Sequence, residues 1–208
     1  MPFIDRADAA RQLARALHQY SGKHPLVLAV PRGAVPMGAI IASALGGDLD
    51  VVLVRKLGAP GNPELAIGAV DEGGWTYLTP HAAMAGADSV YVDRERAAQL
   101  EVLRRRRARY TPGREPVSAA GRLVIVVDDG LATGASMIAA LHAIREQKPS
   151  HLVCAVPVAP PETLLRLQPY ADEMVCLESP RHFRAVGEFY RAFPQVDDDQ
   201  VIACLNPR

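Results

Sequence analysis

Asp128 and Asp129 are the residues of this chain best placed to do chemistry. They follow the apolar run Leu123-Val124-Ile125-Val126-Val127 and precede Gly130-Leu131-Ala132-Thr133-Gly134-Ala135-Ser136. The run is rich in β-branched residues and lacks polar alternation, the pattern of a strand buried on both faces, as in a parallel sheet. A strand that ends in acids and opens into a helix puts those acids at the carboxyl edge of the sheet, where open α/β sheets bind ligands. The small-residue loop, the Thr133 and Ser136 hydroxyls and the amino end of the next helix then form a cradle for a phosphate dianion. Carboxylates beside such a cradle repel phosphate, so they must face a group that wants acceptors, such as sugar hydroxyls or a magnesium ion. A buried strand with an ordinary Thr or Ser N-cap explains Thr133 or Ser136 singly. It does not explain paired acids at the strand end.

Two further segments carry groups suited to anions. Leu26 to Val30 reads as a second buried strand, followed by Pro31-Arg32-Gly33 and a helical stretch from about Val35 to Leu45. Arg32 offers a fork of donors for phosphate oxygens, and Gly33 permits close backbone approach. Val51 to Val54 reads as a third strand ending in Arg55-Lys56.

The elements that must position these groups alternate along the chain. Residues 5 to 20 have the spacing of an amphipathic helix, with Ala9, Leu13, Ala16, Leu17 and Tyr20 on one face. Residues 57 to 63 are dense in turn formers and predict a loop. Ala66–Val70 and Trp75–Leu78 flank Asp71-Glu72-Gly73-Gly74 as a hairpin. Asp88 to Tyr110 is a charged helix, its arginines at 104 to 107 and 109 balanced by Asp93, Glu95 and Glu101 on a solvated face. His151 to Val158 is another buried strand, Pro160-Pro161-Glu162 starts a helix, and Glu173 to Leu177 closes the set. Repeated strand–helix alternation implies right-handed crossovers and a mostly parallel, doubly wound α/β sheet covered on both faces.

The segment 123 to 136 strongly resembles the signature of the type I phosphoribosyltransferases: four apolar residues, two acids, three mostly small or apolar residues, then Thr-Gly-x-Thr/Ser. The order of elements from about 24 to 177 is similar to theirs, and the whole sequence looks like a bacterial group known only as predicted phosphoribosyltransferases. The resemblance implies phosphoribosyl pyrophosphate as ligand, with magnesium carried mainly by that substrate. It implies that Asp128 and Asp129 hold the ribose hydroxyls and that residues 130 to 136 wrap the 5′-phosphate. It further implies that Pro31, Arg32, Gly33, Arg55 and Lys56 receive the pyrophosphate, Lys56 also acting in catalysis. The segment 57 to 74 would close over the site, although the extra lysine that orotate enzymes carry after Arg-Lys is missing. A small hood over the sheet edge is expected from residues 1 to 20, from 178 to 208, or from both. Phe183, Phe189 and Tyr190 in that tail are the acceptor-stacking candidates. The activity implied is transfer of a phosphoribosyl group to a nucleobase or related nitrogen acceptor. A regulatory module that only binds the nucleotide or phosphoribosyl ligand, and a phosphohydrolase, are the alternatives. Family members are commonly dimers.

Bulk properties narrow the classes. A chain of 208 residues suits one α/β domain. Basic and acidic residues balance at 23 each, so no overall field attracts nucleic acid or a membrane surface. No apolar run is long enough to span a bilayer, and the amino end does not have the pattern of a signal peptide. Cys154, Cys176 and Cys204 are odd in number and far apart, as expected of reduced thiols in a cytoplasmic protein. There is no dinucleotide fingerprint, P-loop or His-Glu-x-x-His, and the six histidines are scattered, so no metal site of the protein's own is expected. Ile138 stands where a hydrolase nucleophile elbow needs glycine.

Overall fold

The computed structural model describes residues 3–206, so residues 1–2 and 207–208 of the expected hood segments lie outside the described residues. A five-stranded parallel sheet runs β2 (Asp48–Val51), β1 (Leu26–Ala29), β6 (Leu123–Val127), β7 (His151–Val158), β8 (Glu173–Glu178). The long apolar runs are explained by burial on both faces. Leu26, Leu28, Val124, Val126, Leu152, Cys154 and Val156 face one side, where α4 (Ala135–Arg145) and Leu167 of α5 (Pro161–Leu167) pack. Val27, Ile125, Val127, Val153 and Ala155 face the other, against α1 (Arg6–Ala16) and α2 (Val35–Leu45). The sheet is doubly wound, as expected.

The loop after β1 leads to a helix on one face and the loop after β6 to a helix on the other. These strands are neighbours, paired Leu26↔Val124 through Ala29↔Val127. A crevice must therefore open between their carboxyl ends, at the switch point of the sheet.

The third strand differs from expectation. Val51 to Val54 is not one element: β2 ends at Val51, and the chain leaves the parallel sheet before β3 (Val54–Ala59). Residues 57 to 63 are not an open loop either. Strand β3 continues to Ala59, turns tightly, and pairs antiparallel with β4 (Asn62–Asp71), which pairs with β5 (Thr76–Leu78). Turn formers signalled the reversal, and the short apolar residues beyond it were enough for strands once a partner was present. Helix α3 (Ser89–Tyr110) packs on β3 and β4. One helix, α6 (Asp198–Leu205), was not anticipated; it lies against α2 and α3.

Helix α1 is part of the main layer. Its Ala9, Ala10 and Leu13 are fully buried against α2 and the sheet. Asp5 caps it by accepting from the Asp8 amide at 2.7 Å. Beyond β8, a short turn at Val186–Phe189 runs beside the chain's start, with Phe3 N donating to Phe189 O at 2.7 Å and Arg191 N to Phe3 O at 2.8 Å. Replacing Leu13 with Ala should lower unfolding free energy by about 2–5 kcal/mol in a denaturant titration, as for a fully packed aliphatic side chain. A loss under about 1 kcal/mol would mean that α1 is peripheral.

Candidate active site at the sheet switch point

The crevice is a cavity of about 340 Å³ lined by Val30, Pro31, Arg32, Gly33, Lys56, Asp128, every residue from Asp129 to Met137, Val186 and Phe193. Three stretches far apart in sequence thus meet in one place. Strand β6 delivers the acids, β1 the Pro31-Arg32-Gly33 loop, and the antiparallel sheet delivers Lys56.

The loop 130 to 136 is tied down from behind. Leu131 is buried and its amide donates to Val158 O at 2.9 Å. Helix α5 holds two loop carbonyls: Thr163 Oγ1 donates to Ala132 O at 2.6 Å and Arg166 Nη1 to Thr133 O at 3.1 Å. Gly134 turns the chain into α4 with φ +74, a left-handed conformation that favours glycine. Among the described residues, the amides of 132 to 135 and the hydroxyls of Thr133 and Ser136 have no hydrogen-bond partner. These are free donors at a helix amino end, the requirement for holding an anion.

The acids are held with equal care. Asp129 N donates to Asp128 Oδ1 at 2.8 Å, and Tyr190 Oη donates to Asp129 O at 2.5 Å. Arg6 Nε donates to Asp129 Oδ2 at 2.8 Å, with the two side chains only 12% and 16% exposed. The same guanidinium donates to Pro194 O at 2.5 Å and lies 3.7 Å over the Phe193 ring. A Cβ on Gly33 would collide with Asp129 Oδ2, so no other residue fits there without moving the carboxylate. Burial pushes the Asp128 carboxyl well above the usual carboxylate range, and the Asp129 charge adds to this against the pull of Lys56 and Arg6. Burial also raises Asp129, opposed by Arg6.

The expected residues divide on inspection. Pro31, Arg32, Gly33, Lys56 and 128 to 136 converge on the cavity, but Arg55 does not line it. Neighbouring residues in a strand point to opposite sides; Arg55 turns to α3 and donates from Nε to Gln99 Oε1 at 2.9 Å. Phe183, Phe189 and Tyr190 are also absent from the lining. Phe183 and Phe189 stack on each other at 5.2 Å, and Tyr190 serves the backbone of Asp129. The tail supplies Val186 and Phe193 instead. Arg6 was missed because one arginine near a helix start carries no sequence signal of a partner 123 residues away.

A larger cavity, about 590 Å³, lies between β2, the Trp75 turn and the carboxyl half of α4. Its buried acids are already engaged: Asp50 accepts from Val51 N, Val117 N and Arg114, and Asp71 from Trp75 N. Among the described residues no cluster of His, Cys, Asp or Glu has the makings of a metal site, and no helix is long and apolar enough to cross a membrane.

Comparison with known proteins shows the family and the fold. The family model for the phosphoribosyl transferase domain matches residues 4–193. The chain belongs to the phosphoribosyltransferase family. A Mycobacterium tuberculosis protein assigned as a phosphoribosyl transferase is 44% identical over 205 residues, 98% of this chain and 46% of that protein. The chain thus spans about half the length of that curated relative. The crystal structure of TT1426 from Thermus thermophilus is 50% identical with TM-score 0.82, covering 99% of this chain and 98% of its own. A hypoxanthine-guanine phosphoribosyltransferase from Bacillus anthracis shares the fold at 16% identity and TM-score 0.50, over 93% of this chain and 94% of its own. The mostly parallel α/β architecture expected of this family is present in the chain.

The raised carboxyl of Asp128 has a consequence for stability. The folded state holds that proton more tightly than the unfolded chain, so this residue's effect on stability is most unfavourable at neutral and higher pH. Asp128→Asn should melt above wild type at about pH 7–8, the gap closing as pH falls through the ordinary carboxylate range. A gap that is absent or grows toward acid would refute the assignment.

Proposed function

We propose that the chain transfers the phosphoribosyl group of phosphoribosyl pyrophosphate to a nitrogen acceptor such as a nucleobase, releasing pyrophosphate. The observation that carries this reading is the convergence of free amide donors, two partly buried acids and the cations Arg32 and Lys56 on one cavity. A phosphate, a sugar diol and a second phosphate-bearing group require those three features in that order. The 5′-phosphate rests on residues 130 to 136, and Asp128 and Asp129 accept from the ribose hydroxyls. Pro31, Arg32 and Gly33 receive the pyrophosphate, together with Lys56.

The bond from ribose C1 to the pyrophosphate oxygen breaks with its electron pair on the leaving group. A bond from C1 to the acceptor nitrogen forms, and that nitrogen's proton passes to the departing pyrophosphate or to water. Positive charge gathers on the sugar ring beside Asp128 and Asp129, and negative charge on the pyrophosphate beside Lys56 and Arg32. That placement supports the reading of Asp128, Asp129 and Lys56 as catalytic groups. Magnesium would enter as part of the substrate, since that ion prefers phosphate oxygens plus few carboxylates, and Asp128 and Asp129 line the cavity. Val186 and Phe193 offer an apolar wall for a planar acceptor. We place the reaction in the cytoplasm, where the three free thiols stay reduced.

The test is pyrophosphate release from phosphoribosyl pyrophosphate with magnesium, across a panel of bases and a control without acceptor. Release that depends on one base supports the transferase; release without any base indicates a hydrolase. Tight ligand binding with no release indicates a regulatory module. In an active preparation, Asp128→Asn with Asp129→Asn should abolish turnover in a folded protein. Lys56→Ala should lower kcat about a hundredfold, the usual effect of losing a group that meets developing charge. Unchanged turnover in either variant would overturn the assigned roles.

A further inference from the structure

The cavity of about 590 Å³ between β2, the Trp75 turn and the carboxyl half of α4 is larger than the crevice and shares no lining residue with it. Its apolar lining comes from Leu28 of β1, from Val52 and Leu53 in the link between the two sheets, and from Ile144 of α4. Trp75 and His142 complete it, lying flat against each other with ring centroids 3.6 Å apart and planes within 5° of parallel. A second cavity of about 430 Å³ adjoins through Glu72, Arg107 and Pro116, which line both. Small-molecule sites take this form: a pocket of several hundred Å³ with apolar walls, aromatic rings and a few polar groups.

The polar lining is unfinished. Arg107 Nη1 and His142 Nδ1 are buried and have no hydrogen-bond partner among the described residues, and both residues line this cavity. Buried polar groups are nearly always paired, so two lapses around one cavity mark a place where the chain does not complete its own contacts. The indole N–H of Trp75 also lacks a partner among the described residues. Charge here is mostly of one sign. Asp50, Asp71, Glu72 and Glu146 line the cavity with a single arginine, Arg107, already shared between Glu72 at 2.6 Å and Asp50 at 3.6 Å. Arg114 also reaches Asp50, at 3.1 Å, but Asp71 and Glu146 have no ion pair among the described residues. Such a lining repels a phosphate or carboxylate and attracts N–H groups.

We infer that this cavity is a second ligand site, for an uncharged planar nitrogen heterocycle: a nucleobase or its nucleoside, without phosphate. A flat ring stacks on an aromatic pair with little regard to its identity. Its N–H groups meet the surplus carboxylates, and a ring nitrogen or carbonyl meets the Trp75 N–H. The adjoining cavity has room for a sugar. The site is independent of the transferase reading, which concerns the crevice.

Trp75 is the only tryptophan of the chain, so its emission reports on this cavity. The full chain is titrated with adenine, guanine, cytosine and uracil, with their nucleosides, and with the nucleoside 5′-monophosphates. At least one base or nucleoside should change Trp75 emission saturably, with Kd below about 1 mM, and its monophosphate should need at least about tenfold more ligand. Equal affinity for base and nucleoside identifies the ring as the ligand; tighter binding of the nucleoside identifies the sugar as part of it. Ala143→Phe, which fills the cavity from α4, should melt as wild type and lose the response, whereas Asp128→Asn in the crevice should keep it. Should Ala143→Phe not fold, Glu146→Gln on the exposed end of α4 decides, and it should narrow the gap between nucleoside and monophosphate. The site is overturned if no base or nucleoside gives a saturable response, or if the monophosphate matches its nucleoside. It is equally overturned if the response survives Ala143→Phe and disappears in Asp128→Asn. Pyrophosphate release decides the transferase reading whichever result is obtained.

Discussion

Two carboxylates side by side in a partly buried crevice are the constraint around which this molecule is arranged. Each raises the energy of the other's charge, and loss of water raises both. Cations brought from opposite ends of the fold oppose that cost. Arg6 comes from the first turn of α1 and Lys56 from a separate antiparallel sheet. The first helix therefore packs in the main layer, because only a firmly seated helix can hold a guanidinium at 2.8 Å from Asp129. The same arginine ties in Pro194 and Phe193, so the tail is fixed by the charge that fixes the acid. Gly33 completes the arrangement by leaving out the one atom that would collide with it.

The antiparallel sheet solves a different problem. A parallel strand ending in Arg55-Lys56 would carry both cations to the same sheet edge. Leaving the parallel sheet after Val51 lets β3 present Lys56 to the crevice and Arg55 to α3. Arg107 secures the junction, bonding Glu72 in the hairpin turn and Val51 O at the end of β2. That residue had the look of a solvated charge in a basic helix, yet its side chain is mostly buried, whereas Arg104 and Arg105 nearby are exposed beside Glu101.

What the sequence made legible follows from how local each signal is. Residues 123 to 136 are legible because strand, acids, loop and helix start are contiguous, and each residue type has a physical reason to be there. The hairpin at Asp71 to Gly74 was equally local. The strand change at 51 to 54 was not, since apolar residues in a short run do not say which sheet they join. Helix α6 carried a readable sign, Asp197 followed three residues later by Gln200, and these do form a reciprocal capping box. A run of three acids obscured it. Arg6 with Asp129, and Tyr190 with the Asp129 carbonyl, are pairs made only by the finished fold. The aromatic tail was legible as aromatic, but not which ring would face the crevice.

The anchoring of the 130–136 loop sets an order of events. Its carbonyls at Ala132 and Thr133 are held by α5, and Leu131 is pinned to β7, so this half of the crevice is finished before any ligand arrives. The opposite half is not: Arg32 leans toward Asp198, and Lys56 rides on a hairpin of a different sheet. On the proposed reading, a substrate lands by its 5′ end on a rigid platform with little entropy left to lose there. Its far end then becomes the organiser, drawing the cations inward at the moment when the leaving group most needs them. The stiffness of one loop thereby gives the crevice a direction, entry at the phosphate and commitment at the pyrophosphate.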